Sequence, residues 1–102
     1  MYETISAANM SHTSIKDYMS YANEENIYAI IPCRKQNITF TFSDGEGVFD
    51  VKILDRSNNV ISEYLGLGVG SSFELNDTMK DYEYRICVTG QEIAEYVLEV
   101  EY

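Results

Sequence analysis

The sequence predicts an all-β protein, an antiparallel β-sandwich of about eight strands. Three observations support this fold class. Apolar and polar residues alternate with a period of two through most of the chain after residue 14, which is typical of strands with one buried face. Turn-forming Gly, Asn and Asp residues interrupt this alternation about every ten residues. No later segment shows a long helical period, and the short connections favour antiparallel over parallel pairing.

The alternation divides the chain into a lead-in and one domain. We assign residues 1–14, which are small and polar, to a lead-in segment. Residues 15–102 form a single β-sandwich domain, because no composition break or internal repeat divides them. The predicted strands are Ile15–Tyr21, Asn26–Pro32, Gln36–Ser43, Val48–Asp55, Val60–Leu65, Ser71–Leu75, Asp81–Thr89 and Glu95–Tyr102.

The first four strands follow from burial patterns. Ile15–Tyr21 begins the alternation. Asn26–Pro32 is apolar almost throughout, so we expect burial on both faces, and Pro32 ends the strand. The next two strands each place three apolar side chains on one face, namely Ile38, Phe40 and Phe42, then Phe49, Val51 and Ile53.

The last four strands are separated by turns. Residues 57–59 predict a hairpin turn, because Asn tolerates the left-handed region, and residues 66–70 predict a flexible, Gly-rich connection. Ser71–Leu75 is a short strand. Inward positions in the last three strands are Phe73 and Leu75, then Tyr82, Tyr84, Ile86 and Val88, then Tyr96, Leu98, Val100 and Tyr102, while Cys87 is expected on the polar face.

The charge balance restricts the class of partner. Seventeen acidic residues face seven basic ones, which gives a formal net charge of −10. Such a field repels phosphate backbones and anionic membranes, so we expect neither nucleic-acid nor membrane binding. It attracts cations or a basic protein partner. A net charge far from zero also keeps a small domain soluble, and we expect a monomer.

Residues for catalysis are missing from the sequence pattern. His12 is the single histidine, and nothing in the sequence brings it to a nucleophile and an orienting acid. Cys33 and Cys87 lack metal or redox spacing, and we expect two ordinary thiols. The glycines of residues 66–70 precede no helix that would hold a phosphate. The sequence therefore predicts no catalytic residues, no organic cofactor and no enzyme activity.

Two acidic loops are candidates for calcium binding, because Ca²⁺ takes carboxylate and amide oxygens as ligands. The candidate ligands are Asn23, Glu24 and Asn26 in one loop, and Asp44 and Glu46 in another. Neither loop matches an EF-hand. Solvated loop charge without a bound ion is the simpler interpretation.

The order of several segments resembles the bacterial pre-peptidase C-terminal domain, which includes collagenase collagen-binding domains. The resemblance covers nearly the whole chain. It is carried by residues 3–9, residues 15–28, the hairpin of residues 51–61, and residues 84–90 and 96–100. It implies a jelly-roll-like sandwich without catalytic residues, usually secreted and in some members binding collagen or polysaccharide. Collagenase relatives bind calcium partly through the loop before the second strand. Here Asn23 and Asn26 stand where that loop often carries aspartates.

Two functions remain open at this point. The first is a non-catalytic accessory or binding module of a secreted or cell-surface bacterial protein, with a protein or a polysaccharide polymer as its ligand. The second is a stand-alone acidic interaction protein, an inhibitor or a charge mimic, with a basic protein partner. The expected location, secreted or at the cell surface, rests on the resemblance alone. No signal peptide is visible in the chain, so the protein is expected to be either cytoplasmic or a mature or excised piece of a larger protein.

Overall fold

The structure, a computed structural model, describes residues 2–6 and 12–101, with side chains from Thr13 onward. This part of the chain contains nine strands: β1 Tyr2–Ser6, β2 His12–Met19, β3 Glu25–Ile31, β4 Ile38–Gly45, β5 Phe49–Leu54, β6 Val60–Leu67, β7 Ser72–Leu75, β8 Tyr84–Gly90 and β9 Ala94–Glu101. Strands β2 to β9 are the eight predicted strands, and their ends differ from the predicted ends by at most three residues.

The strands form two packed sheets. The first sheet has the order β1-β3-β8-β5-β6, and the second has the order β2-β9-β4-β7. All neighbouring pairs are antiparallel except β1 and β3, which are parallel. Without β1, the two sheets have four strands each, which is the arrangement of a double-sheet jelly roll. The predicted antiparallel, jelly-roll-like sandwich is confirmed.

The predicted lead-in contributes strands to both sheets. Strand β1 lies in this segment and pairs along β3, from Tyr2 opposite Ile27 to Ser6 opposite Ile31. Strand β2 begins at His12, opposite Glu101, three residues before its predicted start. Backbone hydrogen bonds need no apolar alternation, so an edge strand of polar sequence can extend a sheet without showing the pattern of a buried strand.

The core lies between the sheets and is rich in aromatic side chains. Phe40 stacks on Phe73, with ring centroids 4.8 Å apart, and Phe42 stacks on Phe49 at 5.3 Å. Such pairs add to the free energy gained by burial. The predicted inward residues that are buried are Ile38, Phe40, Phe42, Phe49, Val51, Ile53, Phe73, Leu75, Tyr84, Ile86, Val88, Tyr96, Leu98 and Val100. Tyr82 is half-buried, and Tyr102 lies outside the described residues.

Cys87 lies on the outer face of the first sheet, the face predicted for it together with Arg85 and Thr89, and it is buried there. Cys87 is 3% exposed, because it sits on the central strand β8 between Ile27 of β3 and Lys52 of β5. Its Sγ donates to a carboxylate oxygen of Glu25 at 2.8 Å. Burial and this acceptor raise the pKa of the Cys87 thiol to about 12. No disulfide joins Cys87 to Cys33.

The predicted hairpin turn between β5 and β6 is present. Asn58 adopts a φ of 65°, the left-handed conformation that Asn tolerates. The Asp55 carboxylate accepts hydrogen bonds from the backbone N–H groups of Ser57 and Asn59, both at 2.9 Å. These bonds, led by the one from Asn59, lower the pKa of Asp55 below its ordinary value. The ionised carboxylate therefore stabilises the turn.

Candidate functional site

Strand direction sorts the loops between the two ends of the sandwich. Because the strands from β2 onward alternate in direction, every second loop returns to the same end. Residues 20–24, 46–48, 68–71 and 91–93 connect strands at one end. Residues 32–37, 55–59 and 76–83 connect strands at the other.

We name the first of these ends the acidic end. Each of its four loops carries one exposed, large apolar side chain, and Ile93 and Tyr21 are 76% and 62% exposed. Tyr18, near the end of β2, adds a further exposed ring. Carboxylates lie among these side chains. The acidic end comprises Tyr18, Tyr21, Asp44, Glu46, Val48, Val69, Glu92, Ile93 and Glu95.

Basic residues concentrate at the opposite end. Of the seven Lys and Arg residues in the sequence, five lie in or beside its three loops. Some of them are held by neighbouring side chains: Arg56 lies 4.2 Å from the Tyr82 ring centroid, and Arg85 forms an ion pair with Glu83 at 3.0 Å. The five residues are Arg34, Lys35, Arg56, Lys80 and Arg85. The charge of the protein is therefore unevenly distributed along the sandwich.

A cleft of about 630 Å³ opens at the acidic end, across strands β2, β9 and β4 of the second sheet. Its walls combine carboxylates with apolar side chains. The lining residues are Lys16, Tyr18, Met19, Asp44, Gly45, Glu46, Ile93, Ala94, Glu95, Tyr96 and Val97. Strand register places Tyr18 directly opposite Glu95, and Val97 between Lys16 and Asp44. An aromatic ring and a carboxylate are therefore neighbours in the cleft.

Gly45 allows the close approach of β4 and β9 at this cleft. The register of the two strands shifts between Phe42 and Asp44, and the backbone N–H of Glu46 then donates to the carbonyl of Glu95 at 3.1 Å. Gly45 has a φ of 128°, and a Cβ atom there would lie 2.3 Å from the Glu95 carbonyl oxygen. Only glycine fits this position without backbone movement.

The carboxylates in the cleft accept fewer hydrogen bonds than the carboxylate of Glu99, which lies on the same sheet. Within the described part of the chain, the carboxylates of Glu46 and Glu95 make no hydrogen bond or ion pair. Asp44 accepts from the N–H of Gly45, at 2.8 Å. Farther along β9, Glu99 accepts from the hydroxyls of Ser14 and Ser43. Toward the described residues, the acceptor capacity of these two cleft carboxylates is therefore unused.

A buried polar network joins the two sheets near the acidic end. The Tyr28 hydroxyl donates to the carboxylate of Asp17 at 2.6 Å and hydrogen-bonds the hydroxyl of Tyr96. The Asn26 amide donates to the Tyr96 hydroxyl at 2.9 Å and to the Tyr18 carbonyl at 3.0 Å. Burial is the main cause that raises the pKa of both buried tyrosines, to about 12 for Tyr96.

Asp17 was not singled out by the sequence analysis, although it is only 6% exposed. One signal could have found it. Asp17 lies between Ile15 and Met19 at the same strand parity, and both of those residues face the core. An acidic residue at an inward position predicts a buried carboxylate that needs donors from neighbouring strands.

The candidate calcium ligands lie at or near the acidic end but do not form one oxygen cage. Glu24 is buried, and its carboxylate accepts from the N–H and hydroxyl of Ser20, which lower its pKa. Asn26 belongs to the buried network, and Asn23 is exposed. Asp44 and Glu46 line the cleft. Among the described residues, no three His, Cys, Asp or Glu side chains are grouped closely enough to hold a metal. Calcium binding therefore stays a prediction, checked by thermal melts in calcium and in a chelator.

The fold is shared with solved bacterial structures. Aeromonas hydrophila PliG, a periplasmic inhibitor of g-type lysozyme, superposes with a TM-score of 0.67 at 11% identity, covering 98% of this chain and 96% of that one. The pre-peptidase C-terminal domain of a Bacillus anthracis collagenase superposes with a TM-score of 0.65 at 17% identity, covering 99% and 95%. Salmonella Typhimurium PliG has a TM-score of 0.56 at 11% identity, covering 97% and 96%.

These similarities concern the fold. The second structure confirms, at the level of fold, the resemblance to the pre-peptidase C-terminal domain stated from the sequence. No family model matches the chain, and no curated protein shows a significant sequence similarity to it. The described part of the chain contains no helix with the length and apolar character needed to cross a lipid bilayer.

Proposed function

We propose that this protein is a non-catalytic binding module of the bacterial periplasm, cell surface or extracellular space, and that it binds a basic protein through the acidic end. The observation that carries this proposal is that four exposed apolar side chains, one from each loop, lie together with carboxylates at one end of the sandwich. Exposed apolar groups that cluster in this way are typical of interaction surfaces.

The surface chemistry supports a protein over a polysaccharide as ligand. Stacking of sugar rings needs exposed aromatic side chains, and a row of them on a flat sheet face would have indicated such a ligand. Among the side chains that the structure describes, the tyrosines exposed by more than half are Tyr18 and Tyr21, which lie at the acidic end, while Tyr28, Tyr84 and Tyr96 are buried. The apolar loops resemble the centre of a protein interface, and the surrounding carboxylates favour a cationic partner.

Within this proposal, inhibition of a secreted hydrolase is a specific candidate. Both PliG structures described above are named as inhibitors of g-type lysozyme, and the acidic end supplies charge and apolar contacts suited to covering a cationic protein surface. The other candidate, an accessory module attached to a larger secreted protein, uses the same surface and corresponds to the collagenase domain with this fold.

The proposal is tested by measuring binding of the purified chain to a g-type lysozyme, to cytochrome c as an unrelated basic protein, and to serum albumin as an acidic one. We expect saturable binding to the lysozyme that weakens as salt rises, with little binding to albumin. Inhibition of lysozyme activity at stoichiometric concentration would support the inhibitor candidate. Equal binding to both basic proteins would indicate non-specific charge attraction and contradict a defined interface.

A matched pair of variants locates the surface. Val48 at the acidic end and Val60 at the opposite end are 57% and 55% exposed, so the same change to Ser perturbs each residue to a similar degree. We expect Val48→Ser to weaken binding about tenfold, which is about 1.4 kcal/mol, and Val60→Ser to leave it unchanged. The reverse result would place the interface at the other end of the sandwich.

A further inference from the structure

The cleft at the acidic end has two chemically different walls. Tyr18 and Ile93 supply exposed apolar surface, with the Tyr18 ring 52% exposed. Asp44, Glu46 and Glu95 supply carboxylates. A ligand that fills this cleft must therefore combine an apolar stem with a positively charged, hydrogen-donating head.

We infer that this cleft takes one arginine side chain from the surface of the basic partner. The inference rests on the proposed function, since it names the group of the partner that the acidic end recognises. The guanidinium is planar and donates several N–H bonds in a fixed fork, so it can pair with a carboxylate in two places and stack on an aromatic ring at the same time.

The strand register provides both partners for such a group. Tyr18 on β2 and Glu95 on β9 are directly opposite each other on the outer face of the second sheet. Side chains at such positions are neighbours, at a separation that one guanidinium can span. Stacking on the Tyr18 ring brings the N–H edge of the guanidinium toward the carboxylate of Glu95.

Unused acceptors strengthen the choice of a donor-rich ligand. The carboxylates of Glu46 and Glu95 form no hydrogen bond or ion pair within residues 13–101. Glu46 lies beside Glu95, because the backbone N–H of Glu46 donates to the Glu95 carbonyl. A cation held between these two carboxylates would form charge-assisted hydrogen bonds with both.

Alternative cations fit the cleft less well. Calcium requires six to eight oxygens, and no group of three metal-binding side chains is present among the described residues. A lysine ammonium is a compact, strongly hydrated point charge that neither stacks well nor pairs in two places. Lys16 lines the far side of the cleft, across Val97 from Asp44. Because its positive charge repels another cation, the cationic head of a ligand is restricted to the side of Glu46 and Glu95.

The test uses three blocked tripeptides, Gly-X-Gly, in which X is arginine, citrulline or lysine. Citrulline has nearly the shape of arginine but no charge. Each peptide is titrated into the isotopically labelled chain, and the backbone amide shifts are followed by NMR. We expect saturable shifts centred on Tyr18, Gly45 and Glu95 with the arginine peptide, and at least tenfold weaker binding of the citrulline and lysine peptides.

Variants assign the binding to individual groups. Glu95→Gln and Tyr18→Ala should each weaken binding of the arginine peptide by fivefold or more. Glu74→Gln, on the edge strand β7 away from the cleft, should leave binding unchanged. Equal shifts with all three peptides, or no effect of Glu95→Gln, would overturn the inference. The unchanged amide spectrum outside the cleft checks that each variant is folded.

The experiments give different results if the arginine site is wrong and if the proposed protein partner is wrong. If the lysozyme binds and Val48→Ser weakens that binding while Glu95→Gln does not, the proposed interface stands and the arginine site is wrong. If the arginine peptide binds selectively while neither basic protein binds, the cleft is a cation site and the proposed protein partner is wrong.

Discussion

Substitution of Gly45 by Ala tests the most constrained position in the second sheet. The added Cβ would lie 2.3 Å from the Glu95 carbonyl oxygen and 2.7 Å from the Tyr96 Cα. Both atoms belong to the backbone of β9, so no side-chain rotation relieves the overlap. The φ of 128° is also outside the conformations that alanine readily adopts. The strands must therefore separate locally to accommodate one methyl group.

The magnitude follows from two contributions. A non-glycine residue at positive φ costs about 1–2 kcal/mol. Forcing an extra methyl group into a filled space costs about 1–3 kcal/mol more. We therefore expect Gly45→Ala to lower the free energy of unfolding by about 3 kcal/mol, which for a domain of this size lowers Tm by about 12 °C or more.

The matched control is Gly66→Ala. Gly66 also has a positive φ, of 70°, but an added Cβ would meet no atom within 4 Å. This variant isolates the backbone cost, so we expect a loss of about 1 kcal/mol. Urea unfolding followed by far-UV circular dichroism suits both variants, because the protein contains no Trp. Equal destabilisation by the two substitutions would refute the close contact between β4 and β9.

Three further predictions concern titratable groups. Tyr28→Phe removes the donor to a buried carboxylate and should cost about 2 kcal/mol in a thermal melt, against about 1 kcal/mol for Tyr84→Phe, which loses a bond from the Met79 N–H. The pKa of Asp55 is lowered in the folded state from 3.8, so the stability that this carboxylate contributes is present above that value and is lost as pH falls through the folded pKa. When the pH is lowered below about 4, the urea midpoint of Asp55→Asn should therefore decrease less than the urea midpoint of the parent protein. Cys87, with a pKa of about 12, should resist a thiol reagent at pH 8 until urea is added. Half-buried Cys33 should react in the native protein. Rapid reaction of both thiols would contradict the buried contact between Cys87 and Glu25.

The strands could be predicted because burial on one face leaves a strong local pattern. Ile38, Phe40 and Phe42 alternate with polar residues, and all three are at most 1% exposed. Strand β1 could not be predicted in this way. Its pairing with β3 is a backbone interaction at a sheet edge, which polar residues make as readily as apolar ones.

The acidic end was only partly visible in the sequence. Asp44 and Glu46 were named as candidates for a metal, and the structure places both beside the cleft. The loops that surround them are far apart in the sequence, and their meeting depends on which strands share an end. In an antiparallel sandwich alternate turns share an end, so the exposed apolar residues in every second turn, such as Tyr21 and Val48, were a usable signal.

The separation of charge along the sandwich gives the molecule a direction. Basic residues collect in the loops opposite the acidic end, while the whole chain carries a formal charge of −10. In the field of a cationic protein, such a particle turns as it diffuses, so that its negative pole arrives first. Productive collisions then require less rotational searching. The association rate should fall steeply with ionic strength, whereas the dissociation rate, governed by the apolar loops, should change little.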